Sequence, residues 1–274
     1  VKIRRPQVLN ALNEQVFEQL EAAVAEAERD ASIRGVVVTG FGPKAFVAGA
    51  DIGMLAALTT AREGYENSRL FHRVLDRIEN LEKPVVCAYN GLAFGGGNEL
   101  AMACHYRIAR RGLNPLAGQP EPNLGIIPGA GGTQRLPRIV GIEKAWAMLR
   151  TGRPISGAEG LAMGLVSEEV EASTLLRRAV SIANGSAGVT IRPIERGPID
   201  VPAKLPDVDI GHLSRKIDAI LQRAILEGAR MSLAEGLELE SRLFGECVET
   251  QDMHVGMKTF LEQGARAKAA FTHA

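Results

Sequence analysis

Two short apolar runs, each closed by a turn and each preceded by a helical pattern, constrain this chain most. Residues 35–40 read GVVVTG and residues 84–89 read PVVCAY. Neither alternates between apolar and polar residues, so both are expected as strands buried on both faces. Ahead of the first, Val16/Phe17, Leu20, Ala23/Val24 and Ala27 recur with helical period behind Asn13, a suitable cap. Ahead of the second, Leu70/Phe71, Val74/Leu75, Ile78 and Leu81 do the same until Pro84, and Asn90-Gly91 supplies a turn after the strand. Helix, buried strand and glycine-rich turn, twice over, is the pattern of an α/β fold.

Further on, the sequence predicts a short helix after Glu99, a strand around Tyr106–Ala109 and a loop rich in glycine and proline. Helices follow over Ile142–Arg150 and Gly157–Met163. Between Gly185 and Gly211, Pro193, Pro198, Pro202 and Pro206 mark an extended connection. Beyond it, Leu213, Ile217, Ile220/Leu221 and Ala224/Ile225 return to helical spacing, and Ser232 with Glu235 forms a capping box for another helix. The expected organisation is an α/β body over 1–185, a proline-rich linker over 186–211 and a helical region over 212–274.

Several functions are disfavoured. Lysine plus arginine and aspartate plus glutamate both total 32, so no net field draws the protein to nucleic acid or to a membrane surface. No apolar run approaches the roughly 20 residues of a membrane span. Cys87, Cys104 and Cys247 are scattered, with no CxxC or Cys/His cluster to suggest a disulfide framework or a metal site. Reduced thiols fit the cytoplasm or an organelle matrix. The chain opens at Val1 rather than methionine, and an initial segment is expected to have been removed or lost.

GFGPKA (40–45) matches a dinucleotide pattern only formally, because Pro43 and FVAGAD do not open a helix onto a pyrophosphate. PGAGGTQ (128–134) lacks the third glycine of that pattern and any following Walker lysine. The five histidines share no ligand spacing. His72 reads as a surface or boundary residue and His105 as a structural one. The aromatic residues in apolar helices, Phe71, Trp146, Phe244 and Phe260, read by default as core.

What remains are two glycine-flanked segments and two glutamates. In AFVAGAD (45–51), small Ala48, Gly49 and Ala50 allow a ligand close to the backbone, with main-chain N–H groups free to donate. In NGLAFGGGNELAMAC (90–104), three glycines precede Glu99 at a helix start, where the dipole favours negative charge. Amide donors converging from two turns are what an oxyanion hole requires. Glu99 belongs to an apolar helix and Glu121 sits between Pro120 and Pro122. Brought together, the two would titrate as a unit and supply both acid and base.

KAFVAGADI (44–52), NGLAFGGGNELAMAC and GQPEPNLGIIPGAGGTQRLPRIVG (118–141) closely resemble the signature segments of the enoyl-CoA hydratase/isomerase family, the crotonases. The likeness covers most of the chain. It implies an α/β, crotonase-like spiral of ββα units with a C-terminal helical trimerisation region, assembled as a homotrimer or a dimer of trimers. It further implies that the amides of Ala50 and Gly96 hold a thioester oxygen, and that losing one such donor raises the barrier by about 3–4 kcal/mol. Glu99 would orient and activate water while Glu121 donates the proton to C2 of a 2-enoyl-CoA. Lys44, Ala48, Gly49, Asp51 and Ile52, with Phe244 and Phe260, would line the CoA and substrate site. Coenzyme A comes with the substrate, and no metal or redox cofactor is implied.

Departures from the family pattern are local. The connection between the glutamates is longer around RRGLNPL (110–116), Asn98 replaces a small or sulfur-bearing residue, and Gly53 and Gln263 stand where some members carry lysine. The leading strand hairpin is expected to be truncated before Val1, and the proline-rich segment to reshape the acyl end. Leu55, Leu58 and Trp146 are expected around the acyl pocket. The alternatives in the same fold are a double-bond isomerase or an acyl-CoA hydrolase; outside it, a non-catalytic binding relative.

Overall fold

A computed structural model describes all of residues 1–274. In chain order the strands are β1 (Lys2–Ile3), β2 (Val36–Gly40), β3 (Ala45–Val47), β4 (Val85–Tyr89), β5 (Leu92–Phe94), β6 (Tyr106–Arg110), β7 (Ala117–Gly118) and β8 (Glu168–Val170). The first helices are α1 (Glu14–Arg29), α2 (Ile52–Ala56), α3 (Ala61–Glu79), α4 (Gly96–Ala103), α5 (Gly132–Val140) and α6 (Ile142–Thr151). They are followed by α7 (Gly157–Met163), α8 (Leu175–Ala183), α9 (Arg215–Ala229), α10 (Leu233–Val248) and α11 (Gln251–Gln263). The expected α/β class is observed. The contacts divide the chain into two compact units of three segments each, which do not follow the linear division at 185 and 211.

The first unit comprises residues 1–49, 73–117 and 155–194. Its five-stranded sheet has the order β1-β2-β4-β6-β8, every pair parallel, with Val37 opposite Val86 and Ala88 opposite Ile108. Both faces of β4 are covered, as its apolar run requires: all five of its residues are buried. On one face Val86, Ala88 and Ile108 pack on Leu175, Ala179, Ile182 and Ala183 of α8, a helix the sequence reading did not anticipate. Part of the proline-rich segment, Ala187, Val189 and Ile191, closes the edge of that cluster. A second sheet has the order β3-β5-β7. Asn13 caps α1 by accepting from the Val16 amide at 3.1 Å.

The second unit comprises residues 50–72, 118–154 and 195–274. The α9–α10 pair forms its spine, and Ser232 and Glu235 make the expected capping box. Residues 195–211 do not hang free. The Ile199 amide donates to the Ala229 carbonyl at 2.8 Å, and Leu233 donates to Arg196 at 2.8 Å. Trp146 Nε1 donates to the Pro206 carbonyl at 3.0 Å while the Arg150 guanidinium stacks on the indole at 4.6 Å. Arg150 also grips Asp218 with two bonds of 2.7 and 2.6 Å. A cavity of about 560 Å³ opens there, lined by Trp146, residues 201–208, Gln222, Leu226 and Arg230.

Two expectations are corrected. In the stretch rich in glycine and proline, where the sequence predicts a loop, residues 132–140 form α5 with Pro137 inside it. His72, expected at the surface or at a boundary, is wholly buried, its Nε2 lying 3.0 Å from Glu240 Oε1. The carboxylate explains both. Glu240 also accepts from the amides of Gly131 (2.6 Å) and Thr133 (2.9 Å) and from the Thr133 hydroxyl. A buried side chain from another helix thus caps α5, whose own N-cap is a glycine.

Candidate active site

In the first unit, two glycines of the 95–97 triplet have a physical reason, and the third stands at the helix start. Gly95 caps α4 with φ +49° and ψ −125°, a conformation that L side chains rarely adopt. A Cβ on Gly97 would stand 2.1 Å from the Val47 carbonyl oxygen, so only glycine lets α4 lie this close to β3. Gly96, half-buried, is the first helical residue, and its amide belongs to the opening N–H groups that an α-helix cannot bond internally. One turn on, Glu99 is 2% exposed. Its position near the N-terminus of α4 suits a carboxylate.

β3 leads into the other small-residue segment. Gly49 has φ +123°, and its carbonyl accepts from the Leu12 amide at 2.8 Å. The Ala48 amide donates to Leu9 at 3.1 Å, which removes one of the N–H groups expected to be available to a ligand. Lys44 is exposed at the start of β3. Asn90 ties the preceding turn together, its side chain donating to the Ala45 carbonyl at 3.0 Å and accepting from Gly40 at 2.8 Å. His105 is structural: Nδ1 accepts from the Val85 amide and Nε2 meets the Glu79 carbonyl, both at 3.0 Å.

In the second unit, Ala50 and Asp51 precede α2, and Asp51 caps it through the Gly53 amide at 3.2 Å. Ile52 is its first residue. Glu121 opens a 3-10 turn (Glu121–Leu124) and is 7% exposed. That turn ends at Gly125, with φ +71°. Helix α11 presses on it backbone to backbone: a Cβ on Gly125 would stand 2.3 Å from the Asp252 carbonyl oxygen, and one on Gly256 would stand 2.3 Å from Leu124. Downstream, Ser68 Oγ donates to the Gly129 carbonyl at 2.6 Å and lies within hydrogen-bond distance of Ser241 Oγ at 2.9 Å. Glu121 thus opens a turn that is held just downstream, at Leu124–Gly125 by α11 and at Gly129 by Ser68.

The two aromatic residues expected at the nucleotide differ. Phe244 is 3% exposed with its ring under Gly129, where an added Cβ would meet it at 2.6 Å, so packing accounts for it. Phe260 on α11 is half-buried. Leu55 is buried, Leu58 partly so, and Trp146 faces the proline-rich segment. The Glu240–His72 network was missed by sequence reasoning, although Glu240 falls in line with Leu233, Leu237 and Phe244 on one stripe of α10. A charge at an apolar position of a helix was the available signal.

Residues 1–189 match the family described as enoyl-CoA hydratase/isomerase. The short-chain-enoyl-CoA hydratase of Clostridium acetobutylicum is 39% identical over 263 residues, covering 96% of this chain and 90% of that protein. The crotonyl-CoA hydratase of Syntrophomonas wolfei is 38% identical, covering 95% and 90% respectively. Among solved structures, an enoyl-CoA hydratase from Bacillus anthracis superimposes with a TM-score of 0.63 at 32% identity, covering 98% of this chain and 94% of that one. With a match over that much of its length, the chain belongs to the enoyl-CoA hydratase/isomerase family.

Proposed function

We propose that the protein is an enoyl-CoA hydratase, a lyase that adds water across the 2,3 double bond of a short-chain 2-enoyl-CoA. The observation that carries this reading is the presence of two buried carboxylates, Glu99 and Glu121, in a chain that matches two proteins named as hydratases over nearly their whole length. Family isomerases often keep only one of the two, so the pair favours hydration.

In the proposed reaction the amides of Ala50 and Gly96 hold the thioester oxygen and take up charge as the enolate develops. Water adds to C3 and gives its proton to a carboxylate, with Glu99 orienting and activating it. Glu121 delivers a proton to C2, and the pair re-equilibrates its protons between turnovers. Every atom of water ends in the product, and no oxidant or metal enters the scheme. Coenzyme A arrives as part of the substrate. Lys44 and Phe260 are the proposed contacts to its nucleotide. Ala48, Gly49, Asp51 and Ile52 shape the approach to the thioester, while Phe244 is left to packing.

The proposed assembly is a homotrimer or a dimer of trimers, with no nucleic-acid or membrane partner. The three buried free cysteines suit a reducing compartment, the cytoplasm or an organelle matrix. No helix is long and apolar enough to cross a membrane.

Loss of the enoyl thioester absorbance on adding crotonyl-CoA, with a product heavier by one water, tests the reading directly. A product of unchanged mass, or release of free CoA, would replace it with isomerisation or hydrolysis. No turnover of short, branched or aromatic enoyl-CoAs would point to a binding relative.

A further inference from the structure

Helix α4 begins on residues that bring no capping side chain of their own. Its cap and first two residues are Gly95, Gly96 and Gly97. Asn98 is the first residue of the helix with a side chain, and that side chain is completely buried. Its Oδ1 accepts from the Tyr89 hydroxyl at 3.0 Å, and Tyr89 is itself wholly buried at the end of β4. Burial raises the Tyr89 phenol well above its ordinary pKa, so it stays protonated and donates. The same tyrosine ring packs on Phe46 of β3, with centroids 5.4 Å apart and planes tilted by 56°. One residue of the central sheet therefore touches both elements that lead into the small-residue segments: β3, which runs into Ala48–Gly49, and α4, which carries Gly96 and Glu99.

We infer that Tyr89, acting through Asn98, is a positioning residue for hydration: its hydroxyl fixes the first turn of α4, and with it the direction of the Gly96 amide and the Glu99 carboxylate. A glycine triplet leaves a turn with more backbone freedom than any other sequence. An oxyanion donor works only when it is aimed before charge develops, and small misplacements are expensive in rate. The Tyr89–Asn98 bond, made where no water competes, supplies the restraint that the glycines lack. Asn98, which stands where a small or sulfur-bearing residue is frequent in the family, is the acceptor that makes this restraint available.

The inference rests on the hydratase reading above, and the experiment separates the two. Tyr89→Phe keeps the ring on Phe46 and removes only the hydroxyl. Binding of butyryl-CoA labelled with ¹³C at the thioester carbonyl, which has no double bond to hydrate, reports polarisation of that carbonyl as a lowered infrared stretch. The expected result is a lowered stretch in the wild-type protein, at least half of it lost in Tyr89→Phe. With crotonyl-CoA, kcat should fall about tenfold while KM changes by no more than about twofold. A full wild-type shift and kcat in Tyr89→Phe, with only the melting temperature reduced, would overturn the inference and leave the hydratase reading standing. No shift and no hydration in the wild type would instead remove the hydratase reading, and this inference with it. Should Tyr89→Phe fail to fold, Asn98→Ala takes away the same bond from the other end and is read in the same way.

Discussion

His72 Nε2 and Glu240 Oε1 lie 3.0 Å apart with neither side chain exposed to solvent. Ser241 Oγ reaches His72 Nδ1 at 3.3 Å, so imidazole, hydroxyl and carboxylate form one enclosed chain. Burial pushes the Glu240 carboxyl up to about 7, against the pull of hydrogen bonds from Thr133 and Gly131 and of the nearby Arg135 charge. A carboxyl raised above its unfolded value binds a proton more tightly when folded. Its stabilisation is therefore complete below about pH 4.5 and is lost as pH rises through about 7.

The unfolding midpoint should accordingly fall between pH 5 and pH 8, by an amount equivalent to at most about 3 kcal/mol. Glu240→Gln, which carries no titrating proton, should flatten that dependence. Chemical denaturation at both pH values, on both proteins, measures the difference. Glu240→Ala should destabilise at every pH, by about 3–5 kcal/mol, because it strands several buried donors at once.

Asp252 behaves in the opposite sense. Burial alone would raise it, but bonds from the Ser214 hydroxyl, from the Thr272 amide and hydroxyl, and from His273 together outweigh that and bring it down to about 2. Its stabilisation, about 2 kcal/mol, is present above pH 4 and lost as pH falls towards 2. Hydrogen exchange should show residues 264–274 opening in acid before the helices do, and Asp252→Asn should open them at neutral pH.

Gly256→Ala places a methyl group 2.3 Å from the backbone of Leu124, so either α11 or the turn carrying Glu121 must move. A stability loss of about 1–3 kcal/mol is expected from the overpacking. The fall in kcat should exceed anything the unfolded fraction explains at assay temperature, because the displaced turn bears the proposed acid. Melting curves and steady-state kinetics on the same preparation test this.

At the first helical position of α4, Gly96→Pro removes the amide donor without breaking an intrahelical bond, since proline is tolerated at that site. The fold should survive while kcat drops about 10²–10³-fold. Gly97→Ala should do the reverse, lowering the melting temperature through its collision with Val47.

Much of the scaffold was legible because its signals are local. Asn13, Ser232 with Glu235, the apolar runs in β2 and β4, and Gly157–Met163 each announce their element within a few residues. The carboxylates at 99 and 121 stood out through glycine and proline neighbours, and both proved buried. What escaped depends on distant partners. Helix α5 hides behind Pro137 and glycines because its cap comes from α10, and His72 looks amphipathic until Glu240, far along the chain, is beside it. The roles of Gly95 and Gly97 are likewise invisible without the path of β3 and the backbone torsion.

The PGAGGTQ segment presents the open amides of a helix start, the kind of place where phosphate commonly settles. Here the seat is taken: the protein supplies its own carboxyl group, since Glu240 spends its oxygens on Gly131, Thr133 and His72. A glycine-rich sequence that resembles a nucleotide cradle is thereby turned into an internal rivet, and a phosphate-bearing ligand must seek its cations elsewhere on the molecule.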